Sequence, residues 1–304
     1  MNRFKAYLQL VRLPAVFSAW ADIALGMLLA HDTLYYDDCL LPFALLLLTS
    51  TCLYWAGMTF NDVFDVEIDA KERPQRPIPS SRISKRAAIR LGCGLMLAGS
   101  VSALFAGRFS FLVAIILSIA VLAYDGWMKK THFGPLAMGS CRFLNVMLGA
   151  SLQPEWSSLW VPLHWQVAAC LGIYIVGVTW FAREESGQSH RSGLFIGMMI
   201  ANLGLVLLAV CLFQLQVFTQ DTQNSMRALF VILMVGLIVN RRAVTAFLNP
   251  SPSLVQVTVK VMLLSLIFLD AAMIYARTDS LYFAFGAVAL VIPALLLSRW
   301  VYLT

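Results

Sequence analysis

The chain has 304 residues, 60% of them hydrophobic and only 12% charged, with a formal net charge of +6. An ordinary soluble domain carries roughly 25% charged residues, so this composition excludes a soluble globular protein and points to one that lives in a bilayer. The basic excess needs no nucleic acid to explain it, because lysines and arginines at the ends of spans face an anionic membrane surface.

A helical crossing takes about 20 apolar residues. Runs of that kind, bounded by charge or turn residues, lie near 13–31, 40–60, 87–107, 110–128, 134–153, 161–182, 193–218, 226–248 and 255–276. The sequence therefore predicts an all-α integral membrane protein, a multi-span helical bundle of nine core transmembrane helices. A tenth run, 281–301, is equally apolar but contains Pro293. The first run is long enough to span and no small-residue cleavage site stands out, so it reads as a span rather than a cleaved signal. With the N-terminus placed in the cytoplasm, 18 of the 22 basic residues fall on that side. Only Arg108, Arg227 and Arg277 fall on the other, and Arg142 lies inside a span. The positive-inside rule expects such a split. No repeat, low-complexity tract or soluble segment divides residues 1–304, which read as a single membrane-embedded domain. None of the six cysteines forms a CxxC pair, and they read as small packing residues.

The most informative connection follows the second run. It reads Asn61-Asp62-Val63-Phe64-Asp65-Val66-Glu67-Ile68-Asp69 and continues through Arg73-Pro74-Gln75-Arg76-Pro77-Ile78-Pro79-Ser80. Between Asn61 and Pro74 there is no glycine or proline, so the helix is expected to continue through the acidic part. At about 100° per residue, Asp62, Asp65 and Asp69 would then project within roughly 60° of one another, with Asn61 flanking them and Glu67 pointing elsewhere. Three aligned carboxylates beside hydrocarbon repel one another unless a cation sits between them. Oxygen-only ligands suit Mg²⁺, which usually completes its shell with water and substrate phosphates. Arg73 and Arg76 follow at once and are suited to grip the same phosphates. Acids for a metal and arginines for an anion together make a diphosphate site.

Here the sequence resembles a known family. The run N-D-x-x-D-x-x-x-D followed by R-x-x-R-P-I-P-S resembles the first signature of the UbiA superfamily of intramembrane prenyltransferases. Tyr124, Met128, Lys129, Lys130, Thr131 and His132 resemble its segment after the fourth span. Arg142 and Asn145 resemble polar positions on its fifth, and Arg12-Leu13-Pro14 resembles the start of its first. The resemblance implies Mg²⁺ held by Asn61, Asp62, Asp65 and Asp69, with Arg73, Arg76 and Lys130 stabilising the departing diphosphate and Lys129 assisting. It implies isoprenyl diphosphate as donor, loss of diphosphate to leave an allylic cation, and capture of that cation by an acceptor within the membrane lipid. The acceptor itself is not legible in the sequence.

The family's second acidic motif, D-x-x-x-D after the sixth span, is altered. Ala182 and Ser186 stand where its aspartates belong, with Glu184 and Glu185 between them. Both glutamates are carried as metal ligands, Glu184 as the more important. This A-R-E-E form resembles the divergent EboC-like branch, which implies a bacterial plasma membrane with the N-terminus and both acidic loops cytoplasmic. The alternative is a non-catalytic UbiA-like lipid-binding or scaffold component of a metabolite-handling system. A CDP-alcohol phosphatidyltransferase fits less well: Asp125-Gly126 begins its motif, and Trp127 to Lys130 does not continue it. Asp22, Asp125, Asn202 and Asp270 also fall in apolar runs, where ionisable or polar groups usually face a cavity or a partner. Arg142 and Asn145 are expected to line the substrate chamber, and Asp22 either to bind an acceptor or to pair with Arg142.

Overall fold

The computed structural model describes residues 3–31, 37–153, 155–183, 190–219 and 222–298. In chain order its helices are α1 (Arg3–Leu10), α2 (Val16–Ala30, entered through a 3-10 turn at Leu13–Ala15), α3 (Asp37–Phe64) and α4 (Val66–Glu72). Then come α5 (Lys85–Ala106), α6 (Arg108–Gly126), α7 (Gly134–Gly149), α8 (Trp156–Leu159) and α9 (Pro162–Phe181). The last are α10 (Arg191–Thr219), α11 (Thr222–Leu248), α12 (Pro252–Thr278), α13 (Leu281–Ala289) and α14 (Val291–Ser298). No strand occurs among the described residues, and nine stretches there are long and apolar enough to cross a membrane. The protein is an all-α, multi-span membrane bundle, as its apolar runs predict.

Those nine stretches differ from the nine expected core spans at two places. The run 134–153 yields α7, of only 16 residues, about 24 Å at 1.5 Å per residue and so short of a full crossing by itself. It still belongs to the bundle, and its second half, Arg142 and Asn145 to Gly149, is almost wholly buried. The tenth run qualifies in its place as Leu281–Ser298. It is broken at Leu290 into α13 and α14, three residues before Pro293. Proline lacks the N–H that would bond one turn back, and its ring crowds that carbonyl.

Glycines set how closely the central helices approach. A Cβ on Gly26 of α2 would lie 2.0 Å from the Val146 carbonyl of α7, and one on Gly149 would lie 2.4 Å from the Ile23 carbonyl of α2. The same device joins α9 to α10, where a Cβ on Gly177 would lie 2.2 Å from the Ala201 nitrogen. Between membrane helices the hydrophobic effect supplies no drive, so backbone contact through small residues becomes the main source of cohesion.

The start of α2, the end of α3, the end of α6, the first half of α7, the end of α9 and the first half of α12 gather around one cavity. Beside it a small apolar cluster of Ala6, Leu10, Val63, Ile78, Ile83 and Ala88 pins α1 and the 73–84 connection against the start of α5. Ser84 caps α5 by accepting from the Ala87 N–H. Arg82 tethers the connection, donating to Gln9 Oε1 at 2.7 Å, the Gln75 carbonyl at 2.5 Å and Ser80 Oγ at 2.9 Å.

Candidate active site

The cavity holds about 680 Å³. Its mouth carries Arg12, Asp62, Arg73, Arg76 and Asp125, while deeper walls are apolar, among them Leu53, Met58, Leu117, Ile175, Val178 and Leu263. Arg142 and Asn145 line its deep end. A charged mouth over an apolar barrel suits a ligand with an ionic head and a hydrocarbon tail.

The acidic connection is not one uninterrupted helix. It bends at Asp65 (φ −92°, ψ 7°), where α3 ends and α4 begins. Backbone bonds from Asp65 N to the Asn61 carbonyl at 3.0 Å and from Asp69 N to the Asp65 carbonyl at 2.8 Å keep the turn nearly helical. The three aspartates accordingly divide. Asp62 and Asp69 are both buried and share Arg76, whose Nη1 lies 3.1 Å from Asp62 Oδ1 and 2.6 Å from Asp69 Oδ2. Asp65 instead faces the Lys129 ammonium at 2.7 Å. Arg12 reaches Asp62 Oδ1 from the other side at 3.3 Å. Its backbone sits in the left-handed region (φ 48°, ψ 53°), an unfavourable place for a non-glycine residue that neighbouring contacts must sustain.

The expectation that only a bound cation relieves the three acids is therefore corrected: Arg12, Arg76 and Lys129 relieve them first. For the same reason no three acidic, histidine or cysteine groups converge as a ready metal cage among the described residues. The donor set nonetheless suits a hard cation. Asp62 and Asp69 present carboxylate oxygens to one point, and a cationic nitrogen already stands there.

The other expected site residues fall as follows. Asn61 donates to Asp125 Oδ1 at 3.0 Å. Arg73 lines the mouth. Lys130 is exposed and lies outside the cavity lining, whereas Lys129 is the one of the pair that meets an acid. Arg142 Nη1 donates to Asp22 Oδ2 at 2.5 Å, and Asn145 Nδ2 donates to the same oxygen at 2.8 Å. Ser50 Oγ donates to Asn145 Oδ1 at 2.7 Å. Asp22 is thus Arg142's partner. Asp270 is fully buried on α12, and neither of its carboxylate oxygens has a hydrogen-bond partner among the described residues. Asn202 pairs reciprocally with Asn240, at 2.8 and 2.7 Å. Glu184, Glu185 and Ser186 lie outside the described residues. Thr179 and Ala182, just before them, line the cavity, and Arg183 donates to the Thr131 carbonyl at 3.0 Å. The end of α9 therefore lies at the same cavity.

Arg12 is the site residue that pattern reading undervalued. It is 50 positions from Asp62, and its only signal was its place before Pro14 at the start of a span.

A model of the UbiA prenyltransferase family matches residues 19–304. The digeranylgeranylglyceryl phosphate synthase of Metallosphaera sedula is 36% identical over 124 residues, which is 40% of this chain and 44% of that protein. The chain spans about half the length of the curated relatives it matches. Among solved structures, a UbiA homologue from Aeropyrum pernix superposes with a TM-score of 0.68 at 18% identity, covering 86% of this chain and 96% of that one. A UbiA homologue from Archaeoglobus fulgidus bound to DMAPP and Mg²⁺ superposes with a TM-score of 0.62 at 17% identity, over 93% and 99%.

Proposed function

The chain belongs to the UbiA prenyltransferase family, and from that premise we propose that it transfers an isoprenyl group from a polyprenyl diphosphate to an acceptor within the membrane, with Mg²⁺ as cofactor. The observation that carries the proposal is the mouth of the cavity. Paired acids and guanidinium groups stand over an apolar chamber, as a diphosphate with a hydrocarbon tail requires. The A. fulgidus homologue bound to DMAPP and Mg²⁺ supports the same donor class.

Asn61, Asp62, Asp65 and Asp69 would hold Mg²⁺, which when bound supplies Lewis acidity toward the leaving diphosphate. The chain's own groups do the rest. Arg73 and Arg76 grip the phosphate oxygens through charge-assisted bonds as the carbon–oxygen bond breaks, with Lys129 and Lys130 adding positive charge at that edge. Tyr54, Tyr124 and Met58 line the passage below the mouth and shield the allylic cation from water. Arg142 and Asn145 fix the chamber's far end. The acceptor's nucleophile then bonds to the allylic carbon and gives up its proton. The curated relatives are named for a glyceryl phosphate that carries two geranylgeranyl groups, which favours a glyceryl phosphate lipid as acceptor.

Purified protein is expected to release diphosphate from geranylgeranyl diphosphate only with Mg²⁺ and acceptor present. Failure to release any, with the relatives' acceptor class supplied, would instead favour a non-catalytic lipid-binding protein. In that assay Glu184→Gln is expected to raise the Mg²⁺ requirement more than Glu185→Gln. The reverse order would transfer the role to Glu185, and no change in either would leave the second loop without a metal role. We further take residues 1–304 as one membrane domain with its N-terminus and both acidic loops in the cytoplasm. Single-cysteine labelling should find positions 71 and 188 on one side of the membrane, and labelling from opposite sides refutes this topology.

A further inference from the structure

We infer that Arg76 is a resident substitute for the metal, so that the acidic mouth resists a bare divalent cation and accepts one together with a diphosphate. The inference rests on the metal assignment made above. Its own basis is the position of one nitrogen. Arg76 Nη1 lies 2.6 Å from Asp69 Oδ2 and 3.1 Å from Asp62 Oδ1, the place a cation shared by two carboxylates takes. Arg12 Nη2 adds a contact to the same Asp62 oxygen at 3.3 Å. The side chains of Asp62 and Asp69 are only 4% and 5% exposed. Two carboxylates so enclosed need positive charge close by, and the fold supplies it before any ligand arrives.

The segment carrying Arg76 is tethered. Arg76 N bonds the Arg73 carbonyl at 3.0 Å, Ser80 Oγ donates to the Arg76 carbonyl at 2.6 Å, and Ile78 and Ile83 are buried beneath α1. The guanidinium must therefore leave the acids by rotating its own side chain rather than by riding on a moving loop.

A bare cation would have to expel that guanidinium from both buried acids, and the other two aspartates of the mouth are already engaged. Asp65 is taken by Lys129 at 2.7 Å, and Asp125 accepts from Asn61 at 3.0 Å. An unpaired guanidinium left beside a divalent cation is strongly disfavoured. A diphosphate reverses the balance, because its oxygens receive the displaced guanidinium as a fork while also binding the metal. Metal and diphosphate then strengthen each other's binding, and that coupling is reciprocal. Arg73 supplies the control: it lines the same mouth but forms no ion pair with a described carboxylate.

The test is Mn²⁺ binding to the detergent-solubilised full chain, read by electron paramagnetic resonance without any diphosphate. Arg76→Ala is expected to bind Mn²⁺ about tenfold more tightly than the wild type, and to gain more in melting temperature from the ion. Arg73→Ala, which removes an equal charge from the same mouth, is expected to change Mn²⁺ affinity by less than about threefold. If Arg76→Ala binds no more tightly than the wild type, or if Arg73→Ala matches it, the inference is overturned. Arg76→Gln carries the same expectation should Arg76→Ala fail to purify. Adding Asp62→Asn to the Arg76 variant separates the two levels of the argument. Loss of the tightened binding supports both, whereas undiminished binding overturns the metal assignment and this inference with it.

Discussion

Asp62→Ala is expected to reduce isoprenyl transfer by roughly a thousandfold or more, the scale seen when a principal electrostatic element of a transition state is removed. Asp62 is the one acid that lines the chamber, faces the cation position and meets two guanidinium groups at once. The substitution removes a metal ligand and also releases Arg12 and Arg76 from their shared partner. Side-chain exposures of 20% and 15% leave those arginines some access to water, so the stability loss should be about 1 kcal/mol rather than several. Asp65→Ala should lose turnover comparably while altering the melt less, since only Lys129 faces it. Asp62→Asn provides the check on shape: it keeps the side chain's size and should remain nearly inactive. Transfer above about a tenth of wild type in Asp62→Ala would remove the acids from the mechanism.

The second large effect is on stability, at the other end of the chamber. Arg142→Leu is expected to lower unfolding free energy by about 3–5 kcal/mol, because it strands the fully buried Asp22 carboxylate without its charged partner. Asp22 is fully buried, and its only charged donor among the described residues is Arg142 Nη1, with Asn145 giving one neutral bond. The double variant Asp22→Leu/Arg142→Leu should recover most of that loss, since removing both charges abolishes the uncompensated one. Equilibrium unfolding of the wild type, the single variants Asp22→Leu and Arg142→Leu, and the double variant in bicelles measures it. Losses that simply add would mean that the two side chains contribute independently and that the pair is not the unit of stability.

Much of this was legible in the sequence, and the exceptions share a cause. Apolar runs and charge asymmetry are local properties, and they located nearly every spanning helix. The acidic motif is local too, so Asp62, Asp65, Asp69, Arg73 and Arg76 could be placed at one connection. The bend at Asp65 was not legible, because the stretch contains neither proline nor glycine, and the Lys129 that pairs with Asp65 there stands 64 residues away. The same holds for Arg12, whose partner is 50 residues distant, and for the pairing of Asp22 with Arg142 across 120. Pairing with Arg142 was one of two roles open to Asp22, and the fold selects it. The shortness of α7 escaped notice for a different reason. Hydropathy counts apolar residues whether or not they stay helical, and Ala150 and Leu152 extend the run after the helix has stopped at Gly149.

The glycine crossing of α2 and α7 bears on how this chamber could change its capacity. With a Cβ at Gly26 or Gly149 already forced against backbone carbonyls, the two helices have no slack to slide, and they carry Asp22, Arg142 and Asn145 at fixed height. The vessel has a bolted base. Any adjustment of the hydrocarbon length it accommodates must come from its staves, side chains such as Ile175, Val178 and Leu263, exchanged one methylene at a time while the base holds its level.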